Sequence, residues 1–306
     1  MKKSIFENNL YTFIFATISC LLWGSAFPAI KTSYSLLGIG SAPYQYKILF
    51  AGYRFMISGI LIFIFMIINR EKINLTKTGF KHLILLSFLQ TSLHYTFFYI
   101  GLSNTTGIKS AIITAFGTFL SILFAHFYYA NDKMSRNTVS GLLFGFAGVI
   151  LINLGSGSSI GGGFKFTGEG FLLITATLSA IAGIYAKEIS RHVSPLLMTA
   201  SQLFIGSLFL IGYGGMSVGF NSLNFNTTSF SLLIYLGTIS AVAFSLWFTL
   251  IKYNPISKIS IFKFQIPVWG TILSAMFLPG ENLTYKIVIS LILVSTGIIF
   301  VNRKKN

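Results

Sequence analysis

The chain has 306 residues, of which 54% are hydrophobic, 16% aromatic and only 9% charged. A soluble domain carries roughly 25% charge, so this composition excludes a water-facing globule. The net charge of +16 does not point to nucleic acid, because the basic residues lie between apolar runs rather than in one patch.

In chain order, Met1-Lys2-Lys3 precedes an apolar run from Leu10 to Ile30. That run exceeds a secretory signal's core and no small-x-small cleavage site closes it, so an uncleaved first span is expected. The single cysteine, Cys20, lies inside it, which excludes an intramolecular disulfide. Counting this one, ten apolar segments are long enough for a bilayer, at 10–33, 47–69, 80–102, 108–129, 138–154, 168–187, 195–215, 229–252, 257–278 and 284–302. Lipid offers no partner to free backbone groups, so all should be helices and the fold class all-α and polytopic. Residues 155–167 read as a Gly/Ser-rich linker. Of the 22 basic residues, fifteen fall on the loops and tails of one side, five on the other, and Arg54 and Lys263 within spans. Basic loops stay inside, which predicts cytoplasmic termini and a multi-pass protein of the cell membrane.

The chain is nearly written twice. Lys258–Asn302 lies without a gap on Lys109–Asn153 at an offset of 149, matching Lys109/Lys258, Gly148/Gly297 and Asn153/Asn302 and an acid in each copy, Asp132 and Glu281. Arg54 falls on Gln202, Phe98 on Trp247, and Ala16–Ser19 on Ala176–Ser179 at nearby offsets. Two five-span halves result, 1–154 and 168–306. Five is odd, so the second half enters from the opposite side, an inverted repeat that puts a site near the midplane.

Trp23-Gly24-Ser25-Ala26-Phe27-Pro28-Ala29-Ile30-Lys31 resembles the WGS-x-F-x-x-x-K signature of EamA-type members of the drug/metabolite transporter superfamily. Arg54-Phe55, Tyr99-Ile100-Gly101-Leu102, Pro267-Val268 and Leu278-Pro279-Gly280-Glu281 are similar to that family in the same order. The resemblance implies ten helices in two inverted five-helix repeats, with both termini cytoplasmic. It also implies a central cavity lined by spans one, three, four, six, eight and nine. The chain departs from the family at Ala182-Gly183, where a tryptophan echoing Trp23 is expected, and at Lys263, a charge in a usually neutral span.

All six acids (Glu7, Glu71, Asp132, Glu169, Glu188, Glu281) fall in loops or at span ends, which argues against a buried carboxylate relay. There is no phosphate-binding Gly-x-x-x-x-Gly-Lys loop and no His/Cys set for zinc. No cofactor and no metal are expected. Three ionisable groups remain at depth: Arg54, His94 and Lys263. At about 100° per residue, Lys263, Pro267, Gly270 and Ser274 share one stripe, and their repeat counterparts are Thr114, Thr118, Ser121 and Ala125. Facing stripes of this kind line a cavity, or they pack helices while Lys263 snorkels to the surface. Ser87, Gln90, Thr91, His94 and Phe98 share one face of span three, and Gln90 and His94 are expensive against lipid. Trp23, Tyr95, Phe98 and Trp247 are the aromatic candidates for the walls. Arg54 reads as a structural charge.

The expected function is secondary transport of a small organic metabolite (an amino acid, an amphiphile, or an anionic or zwitterionic compound) by alternating access, not enzymatic catalysis. Import and export, and coupling to a proton or a counter-substrate, stay open. The rival readings are an intramembrane hydrolase centred on His94 and a channel. The expected partners are the substrate and the lipid bilayer, with no nucleic acid.

Overall fold

The structure is a computed structural model that describes residues 5–71, 76–105, 107–153, 164–278 and 285–302. Among them there is no strand. The helices in order are α1 (Asn9–Leu36), α2 (Tyr44–Ile68), α3 (Thr78–Ser103), α4 (Gly107–Tyr128), α5 (Arg136–Asn153), α6 (Phe166–Ile189), α7 (Pro195–Val218), α8 (Thr227–Tyr253), α9 (Ile256–Phe277) and α10 (Tyr285–Asn302). Seven of these, α1 to α3 and α6 to α9, are long and apolar enough to cross a membrane, while α4, α5 and α10 are apolar over shorter lengths. The protein is a multi-pass membrane protein. Residues 155–163 of the expected linker, and Glu281, lie outside the described residues.

The chain signals most helix starts locally. Asn8 accepts from Leu10 N at 2.9 Å to open α1, Thr76 from Gly79 N at 3.0 Å to open α3, and Ser194 from Leu197 N at 3.2 Å to open α7, where Pro195 takes the first position. Asn226 and Ser229 form a reciprocal capping box at the head of α8. Each satisfies backbone N–H groups that a helix start leaves without partners. The heads of α2, α6 and α9 are different: Pro43, Lys165 and Pro255 stand at their cap positions with no side-chain cap of their own.

Three helices leave α geometry. α3 passes through a π turn at Phe88–Leu93, α6 opens with one at Phe166–Gly170, and α9 tightens into a 3-10 turn at Ile261–Phe264. Such interruptions rotate everything beyond them relative to a uniform 100° count, and they gather at functional sites.

The broadest packing pairs α2 with α7 and α5 with α10. α1 lies on α8 and α9, α4 on α6, α3 on α6 and α7, and α2 on α8. With no water to expel between lipid-immersed helices, close backbone approach supplies much of the attraction. The α5–α10 pair achieves it at Gly141 and Gly297. A Cβ on Gly141 would stand 2.7 Å from the Gly297 carbonyl oxygen, and one on Gly297 would stand 2.6 Å from that of Gly141.

Candidate functional site

A cavity lies between the helices, walled by Trp23 of α1, Gln90 of α3, Ser121 of α4, Ser179, Ala180 and Gly183 of α6, Phe244, Trp247, Phe248 and Ile251 of α8, and Ile256, Ser260 and Lys263 of α9. Its free space is about 30 Å³, comparable to the share of one water molecule in the liquid. The free space between these side chains is therefore too small for a metabolite.

One wall is aromatic. The rings of Trp23 and Trp247 are 5.2 Å apart, and Phe244 meets Trp23 edge-on at 5.1 Å. The Lys263 ammonium stands 5.3 Å from the centre of the Trp247 ring, a cation held over a π face. No hydrogen-bond acceptor or carboxylate pairs with that ammonium among the described residues. Across the cavity, Gln90 presents a buried side-chain oxygen with no partner. Gly183 leaves open space: a Cβ built there meets nothing within 4 Å. The lining supplies hydroxyls from Ser121, Ser179 and Ser260 and one cation, but no acid.

The residues singled out from the sequence divide into groups. Trp23, Gln90, Trp247 and Lys263 meet at the cavity. His94, Tyr95 and Phe98 form an adjoining aromatic cluster: His94 lies 4.8 Å from Tyr95 and 6.4 Å from Phe98, and Tyr95 lies 4.4 Å from Phe55. His94 keeps one ring nitrogen, Nδ1, without a partner. Among the described residues no side-chain hydroxyl is hydrogen-bonded to that nitrogen. Thr118 is buried on α4, while Thr114 is exposed and apart from the cavity. Gly270 packs under the ring of Phe27, 2.9 Å from where its Cβ would be.

The π turn explains why Gln90 and His94 part company. Gln90 lies within it and His94 just beyond, so a uniform helical count superposes side chains that the wider turn swings apart. Lys263 sits in the 3-10 turn of α9, which likewise separates it from Gly270. Phe244, Phe248 and Ile251 were legible only through their helical spacing from Trp247. Gly183 showed itself as the missing tryptophan.

Arg54 is buried on α2. Its Nε and Nη2 donate to the Ser240 hydroxyl of α8 at 2.9 and 2.7 Å, and its guanidinium lies 5.1 Å from the Phe55 ring centre. Ser58 Oγ, one turn on, donates to the Gly237 carbonyl at 2.9 Å. Arg54 thus ties α2 to α8 away from the cavity lining.

The end of the bundle that carries the N-terminus is polar and tightly tied. Tyr129 donates to Glu188 at 2.7 Å, and its ring lies beneath the Lys187 ammonium at 5.1 Å. Burial, and then the bond to Glu188, push the Tyr129 phenol well above its ordinary pKa, so it remains a donor. A shallow apolar groove of about 480 Å³ runs beside it between α4 and α6, lined by Phe124, Phe127, Tyr128, Ile181, Ile184, Tyr185 and Glu188.

The family pattern described as "EamA-like transporter family" matches the chain twice, over residues 10–154 and 166–303. The chain belongs to the EamA-like transporter family. Among relatives of this EamA-like protein is YvbV of Bacillus subtilis, named as an uncharacterized transporter. It is 30% identical over 93% of this chain and 89% of its own. YoaV of the same organism, also named as an uncharacterized transporter, is 25% identical over 91% and 92%. A chloroplastic WAT1-related protein of Arabidopsis thaliana is 24% identical over 84% of this chain and 61% of its own. A solved crystal structure shares the fold of the EamA-like chain with a TM-score of 0.76 at 17% identity, over 94% of this chain and 96% of that one.

Proposed function

We propose that this EamA-like membrane transporter moves a small organic metabolite with an acidic or zwitterionic group, by alternating access around the cavity that Lys263 enters. The observation that carries this reading is the Lys263 ammonium, held over Trp247 beside Trp23 with no hydrogen-bond acceptor or carboxylate paired to it among the described residues. A buried cation without a counter-charge is costly, and a substrate carboxylate or phosphate relieves that cost. The aromatic wall favours an organic body over an inorganic ion. Family membership points away from an enzyme.

The architecture in this reading is ten spans in two inverted halves, 1–154 and 168–306, with both termini cytoplasmic and the protein in the cell membrane. Two features support it beyond the double family match. The cavity lining comes from α1, α3, α4, α6, α8 and α9, the six spans that the family resemblance implies. The helix pairing also maps onto itself when each helix of one half is exchanged for its counterpart in the other. α2–α7 and α5–α10 stay in place, α1–α9 becomes α6–α4, α1–α8 becomes α6–α3, and α2–α8 becomes α7–α3. Such a two-fold pairing is what an inverted-repeat carrier would have, and it supports the reading.

Reconstitution into liposomes with a panel of metabolites tests the proposal. Saturable uptake or exchange of acidic or zwitterionic members, weakened in Lys263→Gln, is expected. A steady ionic conductance without saturation would replace the carrier by a channel. Transport of cationic amines in preference to acids would overturn the role of Lys263.

A further inference from the structure

We infer that Asp132 is the latch of a gate, holding the head of α9 across the cavity at the end of the bundle that carries the N-terminus. The inference rests on the transport reading above. Its starting point is a helix start whose own cap position supplies no side-chain bond. Pro255 offers no side chain to the free N–H groups of α9. Asp132, in the turn between α4 and α5 and 124 residues away in sequence, takes them instead. Its Oδ2 accepts from Ile256 N at 2.6 Å and Ser257 N at 3.2 Å, and its Oδ1 accepts from the Ser257 hydroxyl. A carboxylate at a helix N-terminus meets free donors and the positive end of the helix dipole together, an unusually favourable cap for a side chain that is 5% exposed.

This cap and the cavity share residues. The backbone of Ile256 is held by Asp132 while its side chain lines the cavity, and Ser260, one turn along, lines it too. Three further ties converge on the same stretch. Lys187 at the end of α6 donates to the Asn254 carbonyl at 2.6 Å. Asn254 Nδ2 donates to the Phe6 carbonyl at 2.8 Å. Lys258 donates to Asn9 and Asn254 side-chain oxygens, both at 2.9 Å. Residues 254–258 are thus the knot joining α1, α6, and the α4–α5 turn. A solute leaving the cavity toward this end must part the head of α9 from that knot. Of the ties, only Asp132 sets a charge against a helix N-terminus and accepts three donors at once, so its release governs the opening.

Cysteine accessibility tests this without a known substrate. In a Cys20→Ser background, Ser260→Cys places one thiol in the cavity wall at a position 3% exposed. A membrane-impermeant maleimide then reports how often the cavity opens in the purified full-length protein. Adding Asp132→Asn is expected to raise the labelling rate about tenfold, and Asp132→Glu, which keeps the charge, to restore most of the closure. Ser257→Ala removes one donor, keeps the two backbone bonds, and is expected to raise the rate about threefold. It carries the test alone should Asp132→Asn fail to fold. A second reporter, Ser290→Cys on α10, is fully buried away from the gate and should stay unlabelled. An unchanged rate at residue 260, or an equal rise at residue 290, overturns the latch and leaves Asp132 a static cap. Metabolite transport by liposomes whose residue 260 ignores Asp132 would remove the latch and keep the transport reading.

Discussion

The tie between Arg54 and Ser240 yields a prediction in which the small residue matters more than the large one. Ser240 is 0% exposed, and its hydroxyl accepts two N–H groups from Arg54, a residue that is itself 5% exposed. Ser240→Ala leaves that cation buried with its acceptor gone, and no carboxylate pairs with it among the described residues. A lost hydrogen bond to a charged group is worth about 1.5–3 kcal/mol. Arg54→Met removes the charge and leaves no orphan, because the Ser240 hydroxyl also donates to the Leu236 carbonyl at 2.8 Å. Replacing a buried polar pair by apolar groups of similar shape is nearly neutral. We predict that Ser240→Ala lowers stability by about 2 kcal/mol. By the scaling of soluble domains this is a fall of roughly 3–8 °C in Tm. Arg54→Met and the double variant Arg54→Met/Ser240→Ala should melt within a degree or two of the parent. Thermal unfolding of the purified protein in detergent, followed by the folded fraction, decides the matter. An Arg54→Met variant that melts lower than Ser240→Ala would refute the reasoning, and would make the guanidinium a positive contributor in its own right.

Three other outcomes are expected. Lys263→Gln should weaken the affinity of the liposome system for an acidic substrate by on the order of tenfold or more, with Lys263→Arg retaining part of it; unchanged affinity with a lost pH dependence would assign Lys263 to coupling instead. Gly183→Ala should leave Tm unchanged, since a Cβ built there meets nothing within 4 Å, whereas Gly183→Trp, whose ring exceeds the free space of about 30 Å³, should abolish transport and lower Tm; a Gly183→Trp variant that transports normally would show that this space is not on the path. A reporter fused after Asn306 should read as cytoplasmic, and an external reading would remove both the proposed orientation and the even number of spans.

Much of this was legible in the residues because lipid reduces the choices. Long apolar runs become helices, and unpaired polar groups among them stand out, so Gln90 and Lys263 were visible as cavity candidates beside Trp23 and Trp247. What escaped was irregular backbone. Nothing in Phe88–Leu93 announces a π turn, and the separation of Gln90 from His94 follows from that turn alone. Thr114, assigned by its repeat counterpart Lys263, lies exposed, because a repeat relates positions in sequence and not the local winding of each copy. The cap on α9 was invisible for another reason. Asp132 reads as a loop acid, and its use depends on a contact spanning 124 residues that no local pattern encodes.

The unpaired cation in the cavity also has an electrical consequence. Moving one elementary charge across a membrane potential is worth about 2.3 kcal/mol per 100 mV. On the transport proposed above, and with Lys263 the one charged group lining the cavity among the described residues, an empty carrier that reorients would take a positive charge through part of that field. A carrier holding a monovalent anion reorients with the two charges cancelled. An inside-negative potential would therefore bias the empty form toward presenting its cavity inward and leave the loaded form almost indifferent. Voltage would act on the return stroke, and the current carried by the cycle would belong to the protein's own lysine rather than to the molecule it delivers.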